Sequence, residues 1–311
     1  MTTAALRLGY LVFGSRKPHA WATFCERMLG LPEPARNADG SAGWQVDDGA
    51  RQRLVVRPSD EDDLLAVGLE CRDGGELDAL LARLERQGIA SQAAAADEAR
   101  ARRVERLHWV RDPAGNRVEL FAGTEPAAQP FRSQAFPGGF VTGRFGLGHA
   151  VLVHRDLAAM EAFYAKLGFR VSERMDGDAG GIPFQGIFLF CNERHHSIAV
   201  FSLPWRRRLH HFMLQAADAV DVARAYDRAR RLKVPLSLSL GQHDDDGTLS
   251  FYGRSPSGCD FEIGAGGRSI DPATHQVETG FPPSRWGHEP QLALKLRVAA
   301  AFLTRRVGAP A

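Results

Sequence analysis

The chain has 311 residues, enough for two domains of ordinary size, each burying a core of its own. Hydrophobic residues make up 44%, charged residues 24%, and the formal net charge is +2, which excludes a strongly basic nucleic-acid or membrane-surface protein. No run of about 18 apolar residues and no signal-peptide pattern is present, so the expectation is a cytoplasmic chain with no membrane or nucleic-acid partner.

In chain order, the first expected element is a strand at "RLGYLVF", Arg7 to Phe13. From Leu64 to Ile89 a strand gives way to an amphipathic helix, with Leu77, Leu80, Leu81 and Leu84 at helical spacing. The basic run Arg100 to Arg106 reads as a solvated face, as does the later Arg206-Arg207-Arg208. A proline-glycine turn then leads into a strand ending at Glu119, and a polar linker runs from Glu125 to Gly143. Past the linker the same plan returns: "GLGHAVL" (Gly146 to Leu152), a strand and helix from Leu209 to Val234, and a turn and strand from Arg254 to Glu262. The offsets between matched positions are 149 − 10 = 139, 211 − 66 = 145 and 262 − 119 = 143, nearly constant, which marks a duplication. The chain is therefore read as α+β, with four βαβββ modules in two domains, 1–130 and 131–311. The stretch after Trp286 is expected to end as an added helix. Cys25, Cys71, Cys191 and Cys259 lie far apart and are read as free thiols.

The copies differ at chemically telling places. The second half has His149, His211 and Glu262 where the first has Tyr10, Ala66 and Glu119. Strand alternation puts His149 on one face with Leu147 and Val151, and His211 with Leu209 and Met213. A single histidine there would most simply be a hydrogen-bonded core residue. Two with one carboxylate, at repeat-equivalent positions, instead form the set that holds non-haem Fe(II) and leaves three coordination positions open. In the first half, which lacks the imidazoles, Glu119 is expected to be a paired structural carboxylate and no metal is expected.

Gly241-Gln242-His243, Phe251-Tyr252, Ser255-Pro256-Ser257-Gly258 and Glu262 together resemble the signature of type I extradiol ring-cleavage dioxygenases of the vicinal oxygen chelate superfamily. Cys191 to Phe201, Arg208 to Gln215 and Ser284 to His288 resemble further segments of its two-domain branch, which acts on 2,3-dihydroxybiphenyl and related bicyclic or steroid-derived catechols. The sequence departs from that pattern at Ser255, Asp245 and Gly247.

The resemblance implies two cup-shaped mixed-sheet half-barrels with helices outside, the glyoxalase/bleomycin-resistance/dihydroxybiphenyl dioxygenase fold. It implies Fe(II), with Mn(II) as the alternative, held by His149, His211 and Glu262, with O2 as co-substrate and a substituted catechol opened beside its diol. His196 matches the catalytic acid–base; Tyr252 and His243 match catalytic and substrate-binding positions, and Asp246 matches a position that helps bind substrate. His195 and His196 should point to opposite faces of a strand, and His210, counted among the substrate-binding positions, should face away from His211, contacting a second shell or only packing. His19, His108, His154 and His275 are assigned to the surface, and His288 is given no role. Family members commonly form homo-oligomers. A glyoxalase-type isomerase or a non-catalytic aromatic-binding protein on the same fold are the competing readings.

Overall fold

The computed structural model describes residues 6–178, 181–292 and 294–298. The tail turns helical at Leu292, and its final stretch, 299–311, lies outside the described residues.

Each of the four modules starts with a strand and a helix. The first has β1 (Arg7–Ser15), α1 (Pro18–Arg27), β2 (Ala35–Arg36), β3 (Ala42–Trp44) and β4 (Leu54–Pro58). The second has β5 (Leu64–Glu70), α2 (Gly74–Arg86), β6 (Gln92–Ala93), an inserted α3 (Ala96–Arg102), β7 (Val104–Arg111) and β8 (Arg117–Thr124). The third has β9 (Gly148–Val153), α4 (Leu157–Leu167), β10 (Arg170–Asp178), β11 (Pro183–Phe190) and β12 (Ile198–Phe201). The fourth has β13 (Leu209–Gln215), α5 (Ala219–Arg231), β14 (Leu236–Gln242), β15 (Leu249–Arg254) and β16 (Asp260–Ala265), followed by the short β17 (Glu278–Thr279) and β18 (Trp286–Gly287).

The helices start where the sequence supplies caps: Asp73, Asp156 and Asp218 each accept a backbone N–H from the first turn of α2, α4 and α5. The stripe Leu77, Leu80 and Leu84 of α2 is buried. The sheets run β2-β3-β4-β1-β5-β8-β7-β6 and β17-β10-β11-β12-β9-β13-β16-β15-β14-β18. In both, the opening strands of paired modules meet antiparallel at the centre, and the last strand of each module returns parallel to its first. Register bears out the internal match. Tyr10 pairs with Gly68, which pairs with Glu119; His149 pairs with Met213, which pairs with Glu262.

The helix-side core is continuous across the two sheets. Trp21 of α1 is fully buried, its indole N–H donates to Ser257 Oγ at 2.8 Å, and Phe24 meets Phe261 with ring centroids 5.0 Å apart. Burial of one such aromatic stabilises by roughly 2 to 3 kcal/mol. On the opposite face of the first sheet Tyr10, Val12, Val55, Ala66 and Phe121 form a separate closed cluster.

Within that cluster Glu119 is wholly buried and accepts from Tyr10 Oη at 2.6 Å, Arg102 Nε at 3.0 Å and Arg117 Nε at 2.8 Å. Arg102 therefore corrects the reading of its run as a solvated face. Helix α3 ends in a left-handed residue, Arg103 (φ 59), and Arg102 is turned inward, 4% exposed. The second run is likewise engaged, with Arg207 donating to the Asp62 carbonyl and the Arg208 backbone N–H to Asp63. Tyr10→Phe keeps the ring stacked on Phe121 at 4.7 Å and deletes one bond to a charged group. Urea denaturation should register a loss of about 1.5 to 3 kcal/mol, with turnover unchanged.

Candidate active site

Adjacent central strands β9, β13 and β16 carry His149, His211 and Glu262 to one face of the second sheet. Gly148 opens β9 at φ +145, and a Cβ there would lie 2.0 Å from the Met213 carbonyl oxygen, so only glycine allows the strands to approach this closely. Two details differ from simple alternation. A register shift lies between Leu209 and His211, and Leu209 packs in the helix-side core; Leu147, which precedes β9, packs there too. The irregularity also overturns the outward orientation expected of His210, whose Nδ1 lies 2.8 Å from His211 Nδ1 and whose ring faces Trp205 and Phe201.

The three donor atoms converge. Nε2 of His149 lies 3.1 Å from Glu262 Oε2 and 3.1 Å from His211 Nε2, and His211 Nε2 lies 3.4 Å from the same oxygen. Atoms each about 2.0 to 2.2 Å from a common ion sit roughly 3 Å apart. All three side chains are buried, and both Glu262 oxygens lack a well-aligned hydrogen-bond donor among the described residues. A single proton shared between the two imidazole nitrogens would leave the Glu262 carboxylate unanswered, whereas a cation between the three donors answers them all. The set fits a metal. Burial alone would raise the Glu262 carboxyl, but the surrounding His149, His211 and His243 hold it well below its usual range.

The second ring of groups is ordered. His243 sets Nδ1 2.7 Å from the Pro283 carbonyl and Nε2 2.7 Å from Tyr252 Oη. Burial would lower its pKa, but Glu262, Asp246 and Asp245 raise it to about 10. Burial and the Glu262 charge push the Tyr252 phenol well up. His288, given no role from the sequence, packs 4.4 Å from the His243 ring, with Nδ1 2.6 Å from Ser284 Oγ. Asp246 accepts from the Thr248 backbone N–H at 2.8 Å.

His196 stacks 4.3 Å from the His149 ring and 4.8 Å from Phe188, with its pKa lowered chiefly by burial. Residues 192–197 precede β12 in an irregular turn, so the alternation expected for His195 and His196 does not apply. Their Nδ1 atoms lie 3.1 Å apart; His196 lines the cavity and His195 sits behind it. Of the four histidines assigned to the surface, His19 is exposed, while His108, His154 and His275 are half-buried.

The site opens into a cavity of about 570 Å³ walled by Phe184, Phe188, Phe201, Leu203 and Trp205. Pro290, Leu294 and Val298 of the tail close one side, and Arg297 lies over Trp205 and pairs with Asp260 at 2.7 Å. A helix in the tail is expected from the sequence, but its place as a wall of the cavity is not, and Trp205 stands alone in a loop. All four cysteines are free, and no helix among the described residues is long and apolar enough to cross a membrane.

Comparison with known proteins agrees with this geometry. The Glyoxalase/Bleomycin resistance protein/Dioxygenase superfamily model matches residues 146–263, and the Dihydroxybiphenyl dioxygenase BphC D1 model matches residues 8–58. The chain is 40% identical to a 3-methylcatechol 2,3-dioxygenase of Pseudomonas putida, covering 91% of this chain and 97% of that protein. It is 35% identical to an iron-dependent extradiol dioxygenase of Rhodococcus jostii, covering 91% and 96%. The crystal structure of BphC, a halotolerant catechol dioxygenase, superposes with a TM-score of 0.83 at 33% identity, covering 91% and 94%. With likeness of that extent and the donor set in place on the duplicated fold, the chain belongs to the type I extradiol ring-cleavage dioxygenases of the vicinal oxygen chelate superfamily.

Proposed function

We propose that this chain cleaves a substituted catechol beside its diol, inserting both atoms of O2, and that Fe(II), or Mn(II) in its stead, is held by His149, His211 and Glu262. The observation that carries this reading is the convergence of those donors on the wall of a large apolar cavity. Iron(II) held by these residues would supply Lewis-acid and one-electron redox chemistry toward the diol and O2. Glu262 brings one negative charge, leaving a net positive site that favours an ionised catechol. Tyr252 remains protonated, so its hydroxyl can donate to a substrate oxygen, and His243, tethered to the Pro283 carbonyl, holds that hydroxyl in place. His196 takes a proton from the substrate and returns it later, shielded from water by Phe188 and Phe201. Asp246 and His210 complete the binding wall. The C–C bond next to the diol breaks, one atom of O2 ending in a carbonyl group and the other in a carboxyl group. Residues 1–130 act as a domain without a metal and 131–311 as the catalytic one. We place the enzyme in the cytoplasm as a homo-oligomer, a state the exposed Leu292 and Leu296 favour.

The cavity is much larger than one six-carbon ring, which supports a biphenyl-like, bicyclic or steroid-derived diol as substrate. The test is oxygen uptake and yellow product formation by iron-reconstituted enzyme on catechol, 3-methylcatechol, 2,3-dihydroxybiphenyl and a steroid-derived diol. The highest kcat/KM is expected for a bulky diol; absence of uptake with every diol would overturn the reading. Trp205→Ala should lower kcat/KM for the favoured bulky diol about tenfold while sparing catechol, the scale of a lost apolar pocket contact.

A further inference from the structure

Beside His196, on the wall of the same cavity, lies a second convergence of ligating groups. Glu173 of β10, His195 of the turn before β12 and Asp245 of the loop after β14 bring donor atoms within 4.8 Å of one another. Glu173 and His195 are each only 2% exposed. His195 Nε2 lies 4.0 Å from Glu173 Oε2 and 3.4 Å from Glu278 Oε2. The decisive atom is Glu173 Oε2, buried, aimed into this group, and without a well-aligned hydrogen-bond donor or a facing cation among the described residues, its carboxyl neighbour being that of Asp245.

Charge sharpens the point. Arg268 pairs with Glu278 and donates to the Asp245 carbonyl, and so answers one of the acidic side chains gathered here. Glu173, Asp245 and Asp246 remain. Burial, then the facing Asp245, Glu278 and Asp246, push the Glu173 carboxyl up to about 9, the behaviour of an acid group lacking a counter-charge.

We propose that Glu173, His195 and Asp245, with Glu278 at the rim, form a second divalent-cation site, separate from the His149/His211/Glu262 set. Donors bound about 2.0 to 2.2 Å from one ion lie roughly 3 to 4 Å apart, the separation seen for His195, Glu173 and Glu278. Two carboxylates and one imidazole suit a first-row dication such as Zn(II) or Mn(II), whereas Ca(II) and Mg(II) prefer oxygen alone. The ion would tie β10, the turn before β12, the loop after β14 and β17 together, fixing His195 and through its Nδ1 contact the ring of His196.

The test counts metals per chain. Iron-loaded enzyme is exposed to excess Zn(II), desalted, and analysed for iron and zinc together. One iron and one zinc per chain are expected for the native sequence, and one iron with less than a tenth of the zinc for Glu173→Gln. Asp245→Asn, a change in a partly exposed loop, gives the same readout should Glu173→Gln fail to fold, and retained iron certifies the fold in each. Zinc that only replaces iron, so that the two sum to one, would overturn the proposal. So would a full second equivalent surviving in the variants. Because both metals are counted without turnover, the result stands apart from whether any catechol is cleaved.

Discussion

Glu262→Gln is expected to leave a folded protein that retains less than a tenth of its iron and loses turnover by roughly a thousandfold or more, the scale of removing a catalytic metal's charge stabilisation. Glutamine fills the same volume, so the packing around β16 is kept and the change is one of charge. It replaces an anion, lying 3.1 Å and 3.4 Å from the Nε2 atoms of His149 and His211, with an amide that brings no charge. The imidazoles alone leave the ion without a neutralising ligand and in a buried, poorly solvated place. Stability gives a second readout. A ligand present at a hundred times its Kd stabilises by about 2.7 kcal/mol, which at about 2 to 4 °C per kcal/mol means that chelation should lower the native melting temperature by roughly 5 to 10 °C. The variant should melt at one temperature with or without chelator. Full iron content in the variant would remove Glu262 from the metal set.

How far the sequence carried the reading depended on symmetry. The offsets between copies placed Tyr10 against His149, Ala66 against His211 and Glu119 against Glu262, and the paired registers through Gly68 and Met213 put those positions at equivalent points of the two sheets. That inference needed only that duplicated strands keep their register, which the hydrophobic pattern enforces. It stopped where the chain leaves regular structure. The irregularity beside Leu209 turns His210 toward the site, and the turn before β12 puts His195 and His196 in contact; neither has a period to read. Arg102 was misread for another reason. A run of arginines looks solvated until a buried carboxylate two strands away supplies the partner, and Glu119 is that partner. The same long-range dependence hid the tail, whose Arg297 and Leu294 matter only because Asp260 and Trp205 lie beneath them.

For His196→Phe the expected pattern is different: iron content unchanged, catechol affinity within a few-fold of native, and kcat lower by about a hundredfold to ten-thousandfold, the usual contribution of a positioned acid–base group. The ring stacks on His149 at 4.3 Å and meets Phe188 edge-on at 4.8 Å, contacts that a phenyl group of similar outline can repeat. What it cannot repeat is a ring nitrogen able to take and return a proton, the part proposed for His196. A loss confined to kcat therefore separates proton handling from binding, since a group that only shaped the pocket would raise KM instead. His195→Phe makes the comparison complete. Its ring lies behind His196 and touches it through Nδ1, so its removal perturbs position rather than the proton itself, and a smaller fall of about ten- to a hundredfold is expected. Were the two losses reversed in size, the proton would have to travel through His195, and His196 would be its neighbour rather than its carrier.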